Sequence, residues 1–368
     1  MGIPRSYCLL LAMLPGIAGV NLLGQDAPSD PVQNPVPNPV LVPRPTQAGP
    51  RFATDETDLV RLDVVVTDAA GKVVTDLGPG DFTVLDNGQA QKVAVFHGAN
   101  PSVPGTLPAQ MILVVDTVND GVILMGQQRA GLQRYFRQNG GHLALPTSIF
   151  WLTDAGLKVQ PKPTTDGDAL ADFLDRIDPT VHTIRNSAGG QASIEKMDLS
   201  LRSLLGILTN VEKQPGRKLV VWTGPGWPAM AELPHVYSAR TQQLNYDGLR
   251  EMTNELREAR VTLCTPDGGD EFYSRRFVNP VTTADQVVGA NLSLPALALS
   301  SGGITLNPGN GGQLETRLAQ CLASAGPFYS LVFKAAASKH AAEYHQLSVK
   351  VSRPELKART SAAYFAGP

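Results

Sequence analysis

Two acids carry the chemistry most open to reading from this sequence. In ILVVDTVND, residues 112–120, an apolar run ends on Asp116, and Asp120 follows four places later. A continuous apolar run has the pattern of a strand covered on both faces, so Asp116 stands where such a strand stops. In an open α/β sheet ligands sit beyond the carboxyl ends of the strands, so Asp116 stands at a candidate binding position. Asp116 also precedes a helix-like segment, whose first turn favours negative charge. An acid that caps a helix or a turn is the simpler expectation for these two carboxylates alone.

Other candidates are weaker. His340, Glu343 and His345 cluster near the C-terminus, but the histidine spacing matches neither a helix face nor a strand face, so a solvated loop is expected. The Gly-rich PGNGGQ, residues 308–313, precedes a helix-like segment without a Lys or Ser/Thr partner, which is the pattern of a plain turn. No G-x-S-x-G, H-E-x-x-H or G-x-x-x-x-G-K-[ST] occurs, and no catalytic constellation is found. Trp151 and Trp222 lie in apolar strand-like runs and read as core. Trp227 falls in the loop GPGWPAMAELPHVY, either exposed as an anchor of the kind frequent at binding hot spots or packed over its own loop. Cys264 and Cys321 are either a disulfide or two buried thiols.

The elements that must position these residues follow from the periodicity. Residues 52–100 read as a β module of short β-branched runs, with turns at Asp68–Gly71 and at Asp86-Asn87-Gly88. From 108 to 326 strands alternate with helices: MILVV, SIFWLT, KLVVWTG and VTLCT are strands, and DALADFLDRI is a helix capped by Thr165. A helical stretch over 284–300 is broken by Pro295. Residues 327–368 return to strands. Neither terminal group makes an ample sheet alone, so the two are expected to pair. The expected fold is α/β, a doubly wound, mostly parallel Rossmann-type sheet inserted in a β-sandwich formed by the N- and C-terminal strands.

Composition narrows the function classes. A formal charge of -2 over 368 residues offers no basic field for nucleic acid. Residues 1–25 combine one Arg with an apolar run broken by Pro15 and Gly16, the layout of a signal peptide, and 26–51 form a Pro-rich linker. An exported chain is expected, in the periplasm, at the cell surface or secreted, with no transmembrane span in its mature part. Cys8 would leave with the leader.

The element order resembles a von Willebrand factor type A domain, whose first strand ends in D-x-S-x-S and forms a metal-ion-dependent adhesion site. In that family the Asp and both Ser, a Thr from a second loop and an Asp after the fourth strand surround the cation. Here Asp116 matches the first ligand, Val118 stands for the first Ser, and Asp120 replaces the second. WTGPGWP follows the fourth strand, with Gly224 in the acid's place; Thr183 and Ser193 are candidates for the Thr. The resemblance therefore implies a degenerate site, with magnesium or another divalent cation as the one candidate cofactor. A closer resemblance, over about 52–366, is to the von Willebrand factor A-related proteins abundant in Acidobacteria. It rests on VVVTDAAGKVVTDLGPGDFTVLDNGQAQKVAVF, ILVVDTVN, PGRKLVVWTG, VTLCTPDGGD, SGGI, FYSLVF and VKVSRPELKARTSAAYF in that order.

The expected function is binding of a protein or other extracellular macromolecule at the carboxyl edge of the sheet, through Asp116, Thr117, Asn119, Asp120, Thr223 and Trp227. Replacing Asp116 and Asp120 by Ala is expected to weaken that binding and leave folding nearly intact. The rival readings are a metal-assisted hydrolase at the same edge and a structural envelope component recruited by its sandwich edges.

Overall fold

The computed structural model describes residues 59–99, 109–160, 162–176, 190–227, 238–309, 312–335, 338, 340 and 342–366. The expected leader and Pro-rich linker lie outside the described residues, as do Thr183, part of the PGNGGQ run and positions 228–237 after Trp227.

The first strands are β1 (Leu59–Thr67), β2 (Phe82–Asp86), β3 (Gln89–Gln91) and β4 (Val93–His97). Asn87 and Gly88 both take positive φ between β2 and β3, as a tight hairpin of this hand requires. The alternating segment then runs β5 (Ala109–Asp116), α1 (Val122–Phe136), β6 (His142–Thr153), β7 (Gly156–Val159), β8 (Thr164–Asp166), α2 (Gly167–Asp175) and α3 (Gly190–Val211). It continues with β9 (Arg217–Thr223), α4 (Ala239–Glu258), β10 (Val261–Thr265), α5 (Glu271–Ser274), α6 (Leu294–Ser300), β11 (Ile304–Thr305) and α7 (Leu314–Ala325). The chain closes on β12 (Tyr329–Lys334), β13 (Tyr344–Val351), β14 (Lys357–Arg359) and β15 (Ala363–Phe365).

The central sheet is ordered β7-β6-β5-β9-β10-β11, with β8 also on β6. Every pair from β6 to β11 is parallel, and β7 and β8 join antiparallel. The chain order is thus that of a doubly wound sheet, and its direction reverses between β5 and β9. Period-two alternation sorts the side chains. Ile112 and Val114 pack with α3, α4 and α6, whereas Met111, Leu113 and Val115 face α1, α2 and α7. Cys264 and Cys321 form a disulfide on the second of these faces, joining β10 to α7 with Cα atoms 5.8 Å apart.

The terminal strands interleave. One sheet is ordered β14-β1-β12-β4 and the other β15-β13-β2-β3. Val60, Leu62 and Val64 of β1 share a core with Val84, Tyr329, Leu331 and Leu347 from both sheets. The outward residues of β1 turn the other way, and Asp63 takes a bidentate pair of hydrogen bonds from Arg260 at 3.0 and 2.7 Å.

Three local expectations change. The cap of α2 is Asp166, not Thr165, because the Asp carboxylate accepts from Ala169 N at 2.9 Å. Pro295 opens α6 instead of breaking a helix: it lies in the first turn, where its missing N–H costs nothing, behind the cap Ser293. His345 is buried on β13, not in a solvated loop, with Nδ1 2.8 Å from Asp86 and its ring stacked on Tyr364.

Candidate functional site at the carboxyl edge

The reversal of strand order places the ends of β5 and β9 side by side, which is where a crevice opens in sheets of this kind. Asp116 ends β5 and Thr223 ends β9. Asp116 is fully buried (0% exposed), and its carboxylate is saturated. Oδ1 accepts from the amides of Val118 and Asn119 at 2.9 and 3.0 Å. Oδ2 accepts from Asn119 Nδ2 at 2.7 Å and from the indole Nε1 of Trp222 at 2.9 Å. Burial pushes the Asp116 carboxyl up, and these donors pull against it.

Asn119 bridges onward to Ser200 Oγ on α3 at 3.0 Å, fixing the loop after β5 to that helix. Asp120 turns toward α1, where Gln128 Nε2 donates to its Oδ2. Its other oxygen is buried without a partner. Desolvation, then the charges of Asp116 and Asp267, push Asp120 up to about 7. Asp267, just past β10, accepts from Gly224 N at 3.2 Å and pairs with Arg317 of α7 at 2.5 Å. Three carboxylates therefore meet at this edge with one guanidinium among them.

A divalent cation does not fit these residues. A carboxylate has about four acceptor positions, and all those of Asp116 are used by protein N–H groups. Val118 is a buried hydrocarbon. Gly224, at φ +99, lies against the pair: a Cβ there would meet Gln128 Nε2 at 3.2 Å and Asp120 Oδ2 at 3.4 Å. Among the described residues no group of three or more His, Cys, Asp or Glu is placed to hold a metal ion. Ser193 lies in the first turn of α3, and it is Ser200 that reaches the loop.

The expected binding edge is corrected in the same way. Thr117 donates its hydroxyl to Leu152 O at 2.7 Å and Thr223 to Val114 O at 3.0 Å, so both tie strands together from inside. Trp227 is 4% exposed, donates to Leu292 O at 2.9 Å and stands edge-on to Trp222. It is core, and no surface anchor. Of the six residues only Asn119 is partly open. Removing Asp116 would strand four buried donors, so the double Ala change would not leave folding intact.

Sequence reading missed Trp222, Gln128, Ser200, Asp267 and Arg317. Asp267 alone had a signal, since it follows the apolar strand VTLCT much as Asp116 follows its own. The others are joined to the site only by tertiary packing.

No family model matches the chain, and no curated protein matches it. Among solved structures, the human COPII-coat protein Sec24c aligns with 71% of this chain and 44% of its own, at 9% identity and a TM-score of 0.31. The chain thus spans less than half the length of that relative. A von Willebrand factor type A from Catenulispora acidiphila aligns with 85% of this chain and 74% of its own, at 7% identity and a TM-score of 0.24. Among the described residues, no helix is long and apolar enough to cross a membrane.

Proposed function

We propose that this chain is an exported, non-catalytic protein-binding module of the von Willebrand A type whose adhesion site has become metal-free. The observation that carries the reading is a pair of apolar side chains at the first turn of α1, directly after Asp120: Ile123 is 78% exposed and Leu124 51%. Exposed aliphatic groups at the crevice end of a doubly wound sheet gain by being covered, at about 25 cal/mol per Å². The buried acid network beneath them holds the loop in one shape and contributes rigidity, not contact.

The test is site-specific photo-crosslinking in the host. A photoreactive residue at Ile123 should give discrete protein adducts, and one at Val95, an exposed position on the sandwich, should not. Equal labelling at both positions, or none at Ile123, would remove the carboxyl edge as the binding surface.

A further inference from the structure

Asn87, Asn139 and Asn310 each precede a glycine, and the last of these lies outside the described residues. A glycine has no Cβ to shield its nitrogen, so in such a pair that nitrogen can approach the asparagine side-chain carbonyl closely. Whether it does depends on how firmly the fold holds the asparagine.

The structure separates the two described pairs. Asn87 sits in the hairpin between β2 and β3, and β13 holds it twice: its N–H donates to Gln346 O and its Oδ1 accepts from Gln346 N, both at 2.9 Å. Asn139 lies in the turn Gln138–Gly141, which joins α1 to β6. Gln138, Asn139 and Gly140 are exposed, and among the described residues no hydrogen bond reaches the Asn139 side-chain amide. Asn139 and Gly140 both take left-handed conformations, φ 51 and 66, and Gly141 follows at φ 75. Attack requires ψ of Asn139 to swing away from 37, which brings the Gly140 nitrogen to Cγ. An exposed turn with two glycines after the asparagine opens at small cost, whereas Asn87 must first leave β13.

We propose that Asn139 is a self-modification site, at which the folded protein deamidates and forms isoaspartate. The Gly140 amide gives its proton to base and its nitrogen bonds to Asn139 Cγ; the Cγ–Nδ2 bond breaks, and the nitrogen takes up a proton and leaves as ammonia. Water then opens the resulting succinimide ring. Opening between Cγ and the Gly140 nitrogen gives an aspartate. Opening between the backbone carbonyl carbon and that nitrogen gives isoaspartate, with the main chain rerouted through the side-chain carbonyl and lengthened by one carbon. One water enters, one ammonia leaves and one carboxylate is gained, so no oxidant or reductant is needed.

The place makes the change costly. A Cβ on Gly141 would meet Asp168 Oδ2 at 2.7 Å, and one on Gly167 would run into Phe136 O. The end of α1, the turn and the first turn of α2 are therefore in close contact, with no slack for an extra main-chain atom. The new carboxylate also arises two residues from Gly141, where Asp168 already stands. Isoaspartate at this position loosens the junction of α1, β6 and α2. The turn precedes β6, at the amino ends of the strands, so the inference is independent of the carboxyl-edge reading.

The test is ageing of the full chain at physiological temperature, at pH 6 and pH 8, followed by digestion in acid and peptide mass mapping. Isoaspartate is scored by labelling with protein isoaspartyl methyltransferase. The Asn139 peptide should convert about tenfold or more faster than the Asn87 peptide, which has two hydrogen bonds to break first. Conversion should be faster at pH 8, because base removes the amide proton. Asn139→Gly keeps the left-handed backbone and has no side chain to react, so that variant should hold its unfolding midpoint while the wild-type midpoint falls as label accumulates. Any reaction at Asn310 is common to both chains, so the difference between them reads Asn139. No product at Asn139, or conversion of Asn87 at an equal rate, would overturn the proposal. Isoaspartate at Asn139 with equal midpoints in the two aged chains would keep the site and overturn its effect on the fold.

Discussion

The indole Nε1 of Trp222 lies 2.9 Å from Asp116 Oδ2, and this bond joins the two strands that flank the reversal of the central sheet. It puts an N–H where a metal-binding edge would leave a lone pair free. Together with Asn119 it makes the acid a structural tie.

Trp222→Phe should therefore destabilise the fold mainly by removing one of the two donors on a buried carboxylate oxygen, leaving it to Asn119 alone. The expected cost is about 1–3 kcal/mol, with a smaller part from lost ring area against Trp227. It should appear as a lower urea midpoint with an unchanged slope. An unchanged midpoint would mean that the bond contributes nothing net.

Titrating the chelator-treated protein with magnesium, calcium and manganese should give no heat that depends on Asp116. The donors already on that carboxylate would have to be displaced first, and Val118 and Gly224 offer no oxygen side chain in return. Binding tighter than ~1 mM that disappears in Asp116→Asn would show that the loop rearranges to admit a cation.

Much of the fold was legible because its strands are extreme. MILVV, KLVVWT and VTLCT are apolar throughout since helices cover both faces, and that pattern survives without knowledge of partners. Pro295 misled because one residue type both stops a helix and starts one; Ser293 two places earlier was the distinguishing sign. His345 misled for another reason, since its spacing to His340 was irrelevant and its real partner, Asp86, is 259 residues away. At the site, the acid at the strand end was readable, but its saturation was not. That depends on Trp222, which reads as core and is core, and which also turns its one polar atom toward Asp116.

Stability should fall as pH rises through the range in which Asp120 loses its proton. Its folded carboxyl sits at about 7 against an ordinary 3.8, so the folded state holds the proton more tightly than the unfolded chain does. The favourable contribution is complete below about pH 4 and is lost as pH climbs to and past 7. Asp120→Asn removes this dependence and should raise stability at pH 8 by about 2 kcal/mol, allowing for solvent screening. Asp116 is shifted the same way, so the informative quantity is the difference between variant and wild-type urea midpoints at pH 5 and pH 8. A difference that does not widen with pH would show that Asp120 is ionised without penalty.

The bridge between Cys264 and Cys321 should be worth more than the packing of either sulfur. It closes a loop between residues 57 apart in sequence, and the chain-entropy model gives about 4 kcal/mol for such a loop. The loop it closes contains α5, α6 and β11, the short elements at one edge of the central sheet. Replacing both cysteines by Ala should lower the urea midpoint by an amount equivalent to that figure, less whatever strain the bridge carries. Dithiothreitol should produce the same loss in the wild type and none in the double variant. Alkylation under denaturing, non-reducing conditions supplies the check on chemistry, since neither Cys264 nor Cys321 should take label before reduction. If both label, the two sulfurs are thiols packed side by side, and reductant should leave the midpoint where it was.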